Sequence, residues 1–169
     1  MAPRVTEFGV RSGVSTIGWM MGGSTKIVGY DLHVVPSLNE LTEMCYGCGC
    51  VAEFIEGDTA QITIDETDLL FIDSLHTGEH LRVELFRHHE QVRKFIVLHD
   101  TSSCGQGADI MGLWAYETYC RVNANDVHTE GLLSAIDEFL RETGGTWARM
   151  GEKKNNNGLM ILRRRVDRP

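Results

Sequence analysis

Two stretches limit what this chain can fold into more than any other. Residues 69–73 read L-L-F-I-D, and residues 95–99 read F-I-V-L-H with Asp100 next. Each is a continuous apolar run of strand length that ends in ionisable side chains. A strand with one wet face alternates apolar and polar residues, because successive side chains point to opposite faces. A run without alternation suits a strand buried on both faces, as in parallel sheets covered by helices on each side. The expectation is an α/β protein with the sheet as its middle layer.

The remaining pattern agrees. Residues 5–10 (V-T-E-F-G-V), 26–32 (K-I-V-G-Y-D-L), 50–55, 147–150 and 159–163 supply further strands. Helical stretches lie between them. Residues 15–21 form one, and Ser37 opens another, with Glu40 at capping-box spacing. Residues 77–93 carry Leu81 and Leu85 on an apolar stripe beside Val83 and Phe86, and residues 131–143 carry Leu132, Ile136 and Phe139. Asn157-Gly158 favours a hairpin turn between the last two strands. Residues 101–128 make a long connection with Gly105, Gly107 and Gly112 in its first half. Connections of that length in a small domain are usually functional.

A chain of 169 residues suits one domain, here residues 1–169. With 42% hydrophobic and 24% charged residues it has enough apolar material for a packed core. The net charge of -8 argues against broad nucleic-acid binding, which needs a basic face. There is neither an apolar run of membrane-spanning length nor an apolar signal core near the N-terminus, so a cytoplasmic protein is expected. An odd count of 5 cysteines fits the same compartment. Cys45, Cys48 and Cys50 form C-x-x-C-x-C, but Cys104 and Cys120 lie too far downstream to complete a zinc knuckle. They read as small apolar residues around a Gly-rich loop.

Ligands of open parallel sheets sit beyond the carboxyl ends of the strands. Those ends hold Gly9 and Gly13, Asp31 and His33, Gly57 and Asp58, Asp73 and His76, and His99 and Asp100. Glycines after the first strand let the backbone approach a ligand, and the helix start offers free N–H groups. The spacing is G-x-x-x-G rather than G-x-G-x-x-G, and the P-loop lysine is absent, which disfavours a nicotinamide dinucleotide. Asp31 ends the second strand, where an acid can accept hydrogen bonds from ribose hydroxyls. In order, these features favour a nucleoside cofactor that carries no pyrophosphate.

Other polar residues have plainer readings. His80, His88 and His89, among Glu79, Glu84 and Glu90, read as a solvated helix face. His99 reads as a structural histidine or an orienter of Asp100. Trp19, Met20 and Met21 read as core packing, and Arg163, Arg164, Arg165 and Arg168 as a solvated basic terminus. By its position alone Asp73 can also cap the next helix, and His76 can be a surface turn residue.

The strings E-F-G-V-R-S-G-V-S-T (residues 7–16), G-Y-D-L-H (29–33), F-I-E-G-D-T (54–59), L-L-F-I-D-S-L-H (69–76), V-L-H-D-T (97–101), G-L-L-S-A-I-D-E-F-L (131–140) and N-N-N-G-L-M-I-L-R-R (155–164) resemble those of class I S-adenosylmethionine-dependent methyltransferases. The likeness is to the small-molecule O-methyltransferase branch with macrolide-sugar methyltransferases and cephalosporin-hydroxylase-like proteins. It implies a Rossmann-like, mostly parallel seven-stranded sheet with helices on both faces and a C-terminal antiparallel hairpin. It further implies transfer of a methyl group to a hydroxyl of a sugar or small metabolite.

By resemblance, Glu7, Gly9 and Gly13 line the methionine end of S-adenosylmethionine, Asp31 holds the ribose and Asp58 sits by the adenine amine, with Ser15 and Asp73 also among the cofactor-binding residues. Asp73 and Asp100 match acids that hold a divalent cation such as magnesium in some relatives, and His76 matches their base. Relatives usually carry a helical segment ahead of the first strand, whereas Glu7 is already in the first motif here, and Thr101 stands where metal-dependent relatives often place an acid or amide. The acceptor pocket is then expected to be completed by a homo-oligomer, by residues 102–125, or by a large partner. A second reading is a non-catalytic cofactor-binding subunit. Acceptor specificity is expected from residues 101–128, where Trp114, Tyr116, Tyr119 and Arg121 either stack on a ring or close the domain and His128 can enter the site.

Overall fold

The computed structural model describes residues 3–107 and 130–165. In chain order the elements are β1 (Arg4–Phe8), α1 (Val14–Met21), β2 (Lys26–Asp31), α2 (Ser37–Gly47), β3 (Val51–Glu56), β4 (Thr67–Ile72), α3 (Gly78–His88), a short 3-10 turn (His89–Gln91), β5 (Val92–His99), α4 (Leu132–Glu142), β6 (Trp147–Lys153) and β7 (Leu159–Arg164). The seven strands form one sheet in the order β3-β2-β1-β4-β5-β7-β6. The first five run parallel, and β7 pairs antiparallel with both β5 and β6. The chain winds outward from β1 to β3, then returns to place β4 on the other side of β1. That reversal opens a crevice at the strand ends, where α/β sheets bind ligands.

The apolar runs are continuous because each strand serves two cores. Phe8, Leu70, Ile72, Ile96 and Leu98 face one core with Leu81 and Leu85 of α3 and Ile136 and Phe139 of α4. Val5 and Ile27 face the other, with Leu38, Leu41 and Cys45 of α2 and the partly buried Ile17 and Trp19 of α1. Leu69 packs on that second side, and the Phe71 ring meets Trp19 edge-on at 5.3 Å. Helices thus cover both faces, as the missing alternation requires.

Several local expectations are corrected. Ser37 is not a cap: Pro36 already has helical angles and precedes the first turn, where the Leu38 and Asn39 amides donate to the backbone carbonyls of Val35 and Pro36. The working cap belongs to α3, where Thr77 is extended and its hydroxyl accepts from the His80 amide. That helix ends at His88, and β5 starts at Val92, because Val92 is fully buried and pairs with Thr67. Arg164 is not part of a solvated terminus. It is buried across Trp147, 4.7 Å from the ring centroid, and donates to the carbonyls of Val92 and His89. The guanidinium thereby satisfies carbonyls where the chain leaves α3. Met21 is exposed at the end of α1 rather than packed.

His80 and His88 are buried, not solvated, and Glu84 between them is completely so. Residues 80, 84 and 88 lie at i, i+4 and i+8, one stripe of α3, and the loop after β3 covers that stripe with Thr59. Cys45 and Cys50 are buried while Cys48 is exposed. Among the described residues the three do not gather as metal ligands. Gly112, Trp114, Tyr116, Tyr119, Cys120, Arg121, His128 and Arg168 lie outside the described residues.

Candidate active site

The site is built on the turn between β1 and α1. Gly9 has φ 82°, and a Cβ there would lie 2.1 Å from the Asp73 carbonyl oxygen. Only glycine lets the end of β1 pass so close to the loop after β4. Gly13, with φ 79°, caps α1, and a Cβ there would strike Leu41 of α2. The first glycine is therefore required by the loop that carries Asp73, and the second by helix packing.

Glu7 ties this turn together. Its buried carboxylate accepts from Thr16 Oγ1 at 2.6 Å and from Ser15 Oγ, both in the first turn of α1. Burial pushes its pKa up to about 7, against the opposing effect of the two hydroxyl donors and with help from the charges of Asp73 and Asp31. At the end of β2, Asp31 accepts from the Arg11 amide at 2.8 Å and the His33 amide at 3.3 Å. Asp58, after β3, accepts from the Ala60 amide at 2.9 Å and Gln61 Nε2 at 2.8 Å, an arrangement that turns the chain.

These strand ends surround a cleft of about 690 Å³, within the usual range for small-molecule sites. Gly9, Ser15, Asp31, Asp58, Asp73, His76 and Asp100 all line it. Glu7 and Gly13 do not; they lie behind the lining and shape the turn. The lining also includes Thr59, Ser74, His80 and Asn157, which sequence reasoning did not select. The available signals were adjacency to Asp58 and Asp73 for the first two and the four-residue periodicity of α3 for His80.

At the β4 and β5 end, two carboxylates and two imidazoles meet. His76 Nε2 lies 3.2 Å from Asp73 Oδ1 and 2.9 Å from Asp100 Oδ2. His99 Nδ1 lies 3.1 Å from the same Asp73 oxygen and 3.5 Å from Asp100 Oδ1. His99, read above as a structural or orienting histidine, thus touches both acids and lines the cleft. Burial by itself would raise Asp73, yet the hydrogen bond from His76 and the charges of His99 and His76 hold it below the ordinary carboxylate range. Asp100 has φ 56°, and Ser103 Oγ donates to its carboxylate at 3.2 Å. The hairpin turn between β6 and β7 braces this corner: the Asn157 carbonyl accepts from the amides of Ser102 and Ser103. Ligand atoms of Asp73, His76 and Asp100 lie within 4.8 Å of one another, the one such cluster among the described residues.

No protein-family model matches the sequence, and no curated protein matches it. Solved structures do share the fold. A magnesium protoporphyrin IX methyltransferase (ChlM) from Synechocystis PCC 6803, with bound S-adenosylhomocysteine (SAH), superposes with a TM-score of 0.65 at 13% identity, over 96% of this chain and 74% of the other. The 1,6-didemethyltoxoflavin-N1-methyltransferase of Burkholderia thailandensis gives 0.65 at 16% identity, over 96% and 72%. The N-methyltransferase NodS from Bradyrhizobium japonicum WM9 gives 0.61 at 13% identity, over 98% and 80%. At such identities the likeness speaks to the fold. The seven-stranded, mostly parallel sheet with its antiparallel C-terminal hairpin is the Rossmann-like fold of these methyltransferases.

Proposed function

We propose that the protein is an S-adenosylmethionine-dependent methyltransferase that acts on a hydroxyl of a sugar or another small metabolite. One observation carries the reading: Gly9, Asp31, Asp58 and the Asp73–His76–Asp100 cluster all line one cleft at the strand reversal. The neighbours in fold that were crystallised with S-adenosylhomocysteine support a nucleoside thioether as the occupant. Asp31 would accept from the ribose hydroxyls, and Asp58 from the adenine amine. The backbone of the Gly9 turn, with Ser15, would face the methionine moiety.

Methyl transfer is an in-line displacement at the sulfonium methyl. The acceptor oxygen forms the new C–O bond, the C–S bond breaks and its electron pair leaves with sulfur, and the hydroxyl proton must go to a base. His76 suits that task, since imidazole exchanges protons near neutral pH. The imidazolium it becomes would rest between Asp73 and Asp100, whose carboxylates stabilise the charge. The sulfonium is already an activated donor, so holding the two reactants in line supplies much of the rate.

Asp73 and Asp100 also fit a divalent cation, since hard carboxylate oxygens suit magnesium. Such an ion, when bound, lowers the pKa of a coordinated hydroxyl. The test is calorimetry with S-adenosylmethionine, then turnover over a panel of hydroxylated acceptors with and without EDTA. No binding at millimolar cofactor would end the reading. Binding without transfer to any acceptor would favour a non-catalytic subunit, and full turnover in EDTA would remove the cation.

A further inference from the structure

Glu84 is completely buried, and a core helix has no need of a carboxylate there. An apolar side chain of the same size could fill the space, and buried ion pairs seldom add stability over such a replacement. The carboxylate nevertheless collects three donors on one oxygen. Thr59 Oγ1 donates at 2.5 Å, Ser74 Oγ at 2.6 Å, and His80 Nε2 lies at 3.2 Å. The other oxygen, Oε2, is buried with no hydrogen-bond partner among the described residues. The group is thus organised around its connections rather than around full satisfaction of its own atoms.

The tautomer of His80 follows from these contacts. The Thr59 hydroxyl spends its proton on Glu84, so His80 Nε2, which is 3.2 Å from both, must carry a hydrogen. Burial alone would lower the His80 pKa, but the Glu84 carboxylate raises it above its ordinary value. His88 secures Thr59 from the other side, its Nε2 lying 2.8 Å from the Thr59 carbonyl.

The donors come from two separate loops and from α3 itself. Thr59 follows Asp58 in the loop after β3, Ser74 follows Asp73 in the loop after β4, and His80 stands on α3. Thr59, Ser74 and His80 all line the cleft, whereas Glu84 stands behind them. We infer that Glu84 is a positioning residue that locks the nucleoside-facing loop to the loop of the reacting centre, so that cofactor seated against Asp58 finds Asp73 at a set distance. This inference rests on the reading of the cleft as an S-adenosylmethionine site.

The experiment is a double-mutant cycle on the full chain, read as S-adenosylhomocysteine affinity by calorimetry and as KM against kcat for S-adenosylmethionine. Thr59→Val and Ser74→Ala each remove one hydroxyl donor. The expected result is a departure from additivity in affinity of about fivefold or more, the range for residues that share a partner. In a Glu84→Met background the two should become additive, and Ser74→Ala should no longer weaken cofactor binding. Glu84→Gln gives a second test should Glu84→Met fail to fold: it keeps the volume, and a purely space-filling role predicts unchanged affinity and kcat. Additive Thr59 and Ser74 effects in a protein that binds S-adenosylhomocysteine would overturn this inference alone. Failure of the unaltered protein to bind S-adenosylhomocysteine would overturn the methyltransferase reading, and this inference with it.

Discussion

His76 Nε2 lies 2.9 Å from Asp100 Oδ2, although one residue follows β4 and the other follows β5. The parallel pairing of those strands in register, Ile72 with Leu98, brings the two loop starts together. If His76 takes the proton of the acceptor hydroxyl, His76→Ala should lower turnover about 10²–10⁴-fold, the usual contribution of a general base. S-adenosylhomocysteine affinity should stay within about twofold, since the side chain would serve the reacting centre. Unchanged turnover would remove His76 from the chemistry.

Asp31 has a double task, as it accepts from the Arg11 amide and faces the cleft. Asp31→Ala should weaken S-adenosylmethionine binding at least about tenfold, because hydrogen bonds to a charged group contribute about 1.5–3 kcal/mol. Calorimetry would check this, and an unaltered affinity would place the ribose elsewhere.

Gly9 should tolerate no side chain. An added Cβ would lie 2.1 Å from the Asp73 carbonyl at a backbone angle that alanine rarely adopts. Gly9→Ala should therefore cost about 3 kcal/mol or more, from strain and overpacking together. Urea unfolding would measure it as a lower midpoint. A variant as stable as the parent would show that the turn relaxes freely.

Glu7 should leave a mark on stability against pH. Its pKa rises from 4.5 to about 7 on folding, so between those values the folded state binds more protons than the unfolded chain. Stability from this group is full below pH 4.5 and is lost as pH rises through about 7. The loss is about 3 kcal/mol as an order of magnitude, from the size of the shift. Glu7→Gln cannot titrate and should lack this slope, so the wild type should weaken relative to it across that window. Denaturant unfolding of both proteins at several pH values would decide the matter; parallel curves would mean that Glu7 ionises freely when folded.

Much of the frame was legible in the chain. Residues 69–73 and 95–99 announced central strands, and the ends of those strands bore Asp73, His99 and Asp100, which now line the cleft. Gly9 and Asp31 were legible for the same reason: a position just past a strand in a parallel sheet has a known place in the fold. The residues that escaped notice depend on distant packing. His80, Glu84 and His88 look like a wet helix face until the loop after β3 lays Thr59 over them. Arg164 looks like part of a basic tail until it meets the carbonyls of His89 and Val92. Ser37 has the spacing of a cap, but the angles of Pro36 decide where the helix begins.

Sequence by itself determined the two-sided sheet, the order of its parallel strands along the chain and the residues at their ends, because side-chain periodicity and turn chemistry act over a few neighbours. Tertiary structure alone decided which polar groups are buried, which acids and imidazoles touch, and that Glu7 supports the turn rather than lining the cleft. The reason is that burial of a polar side chain is set by whatever segment packs over it. For Glu84 those segments are the loops of Thr59 and Ser74, which the chain keeps apart and only the folded sheet brings to one carboxylate oxygen.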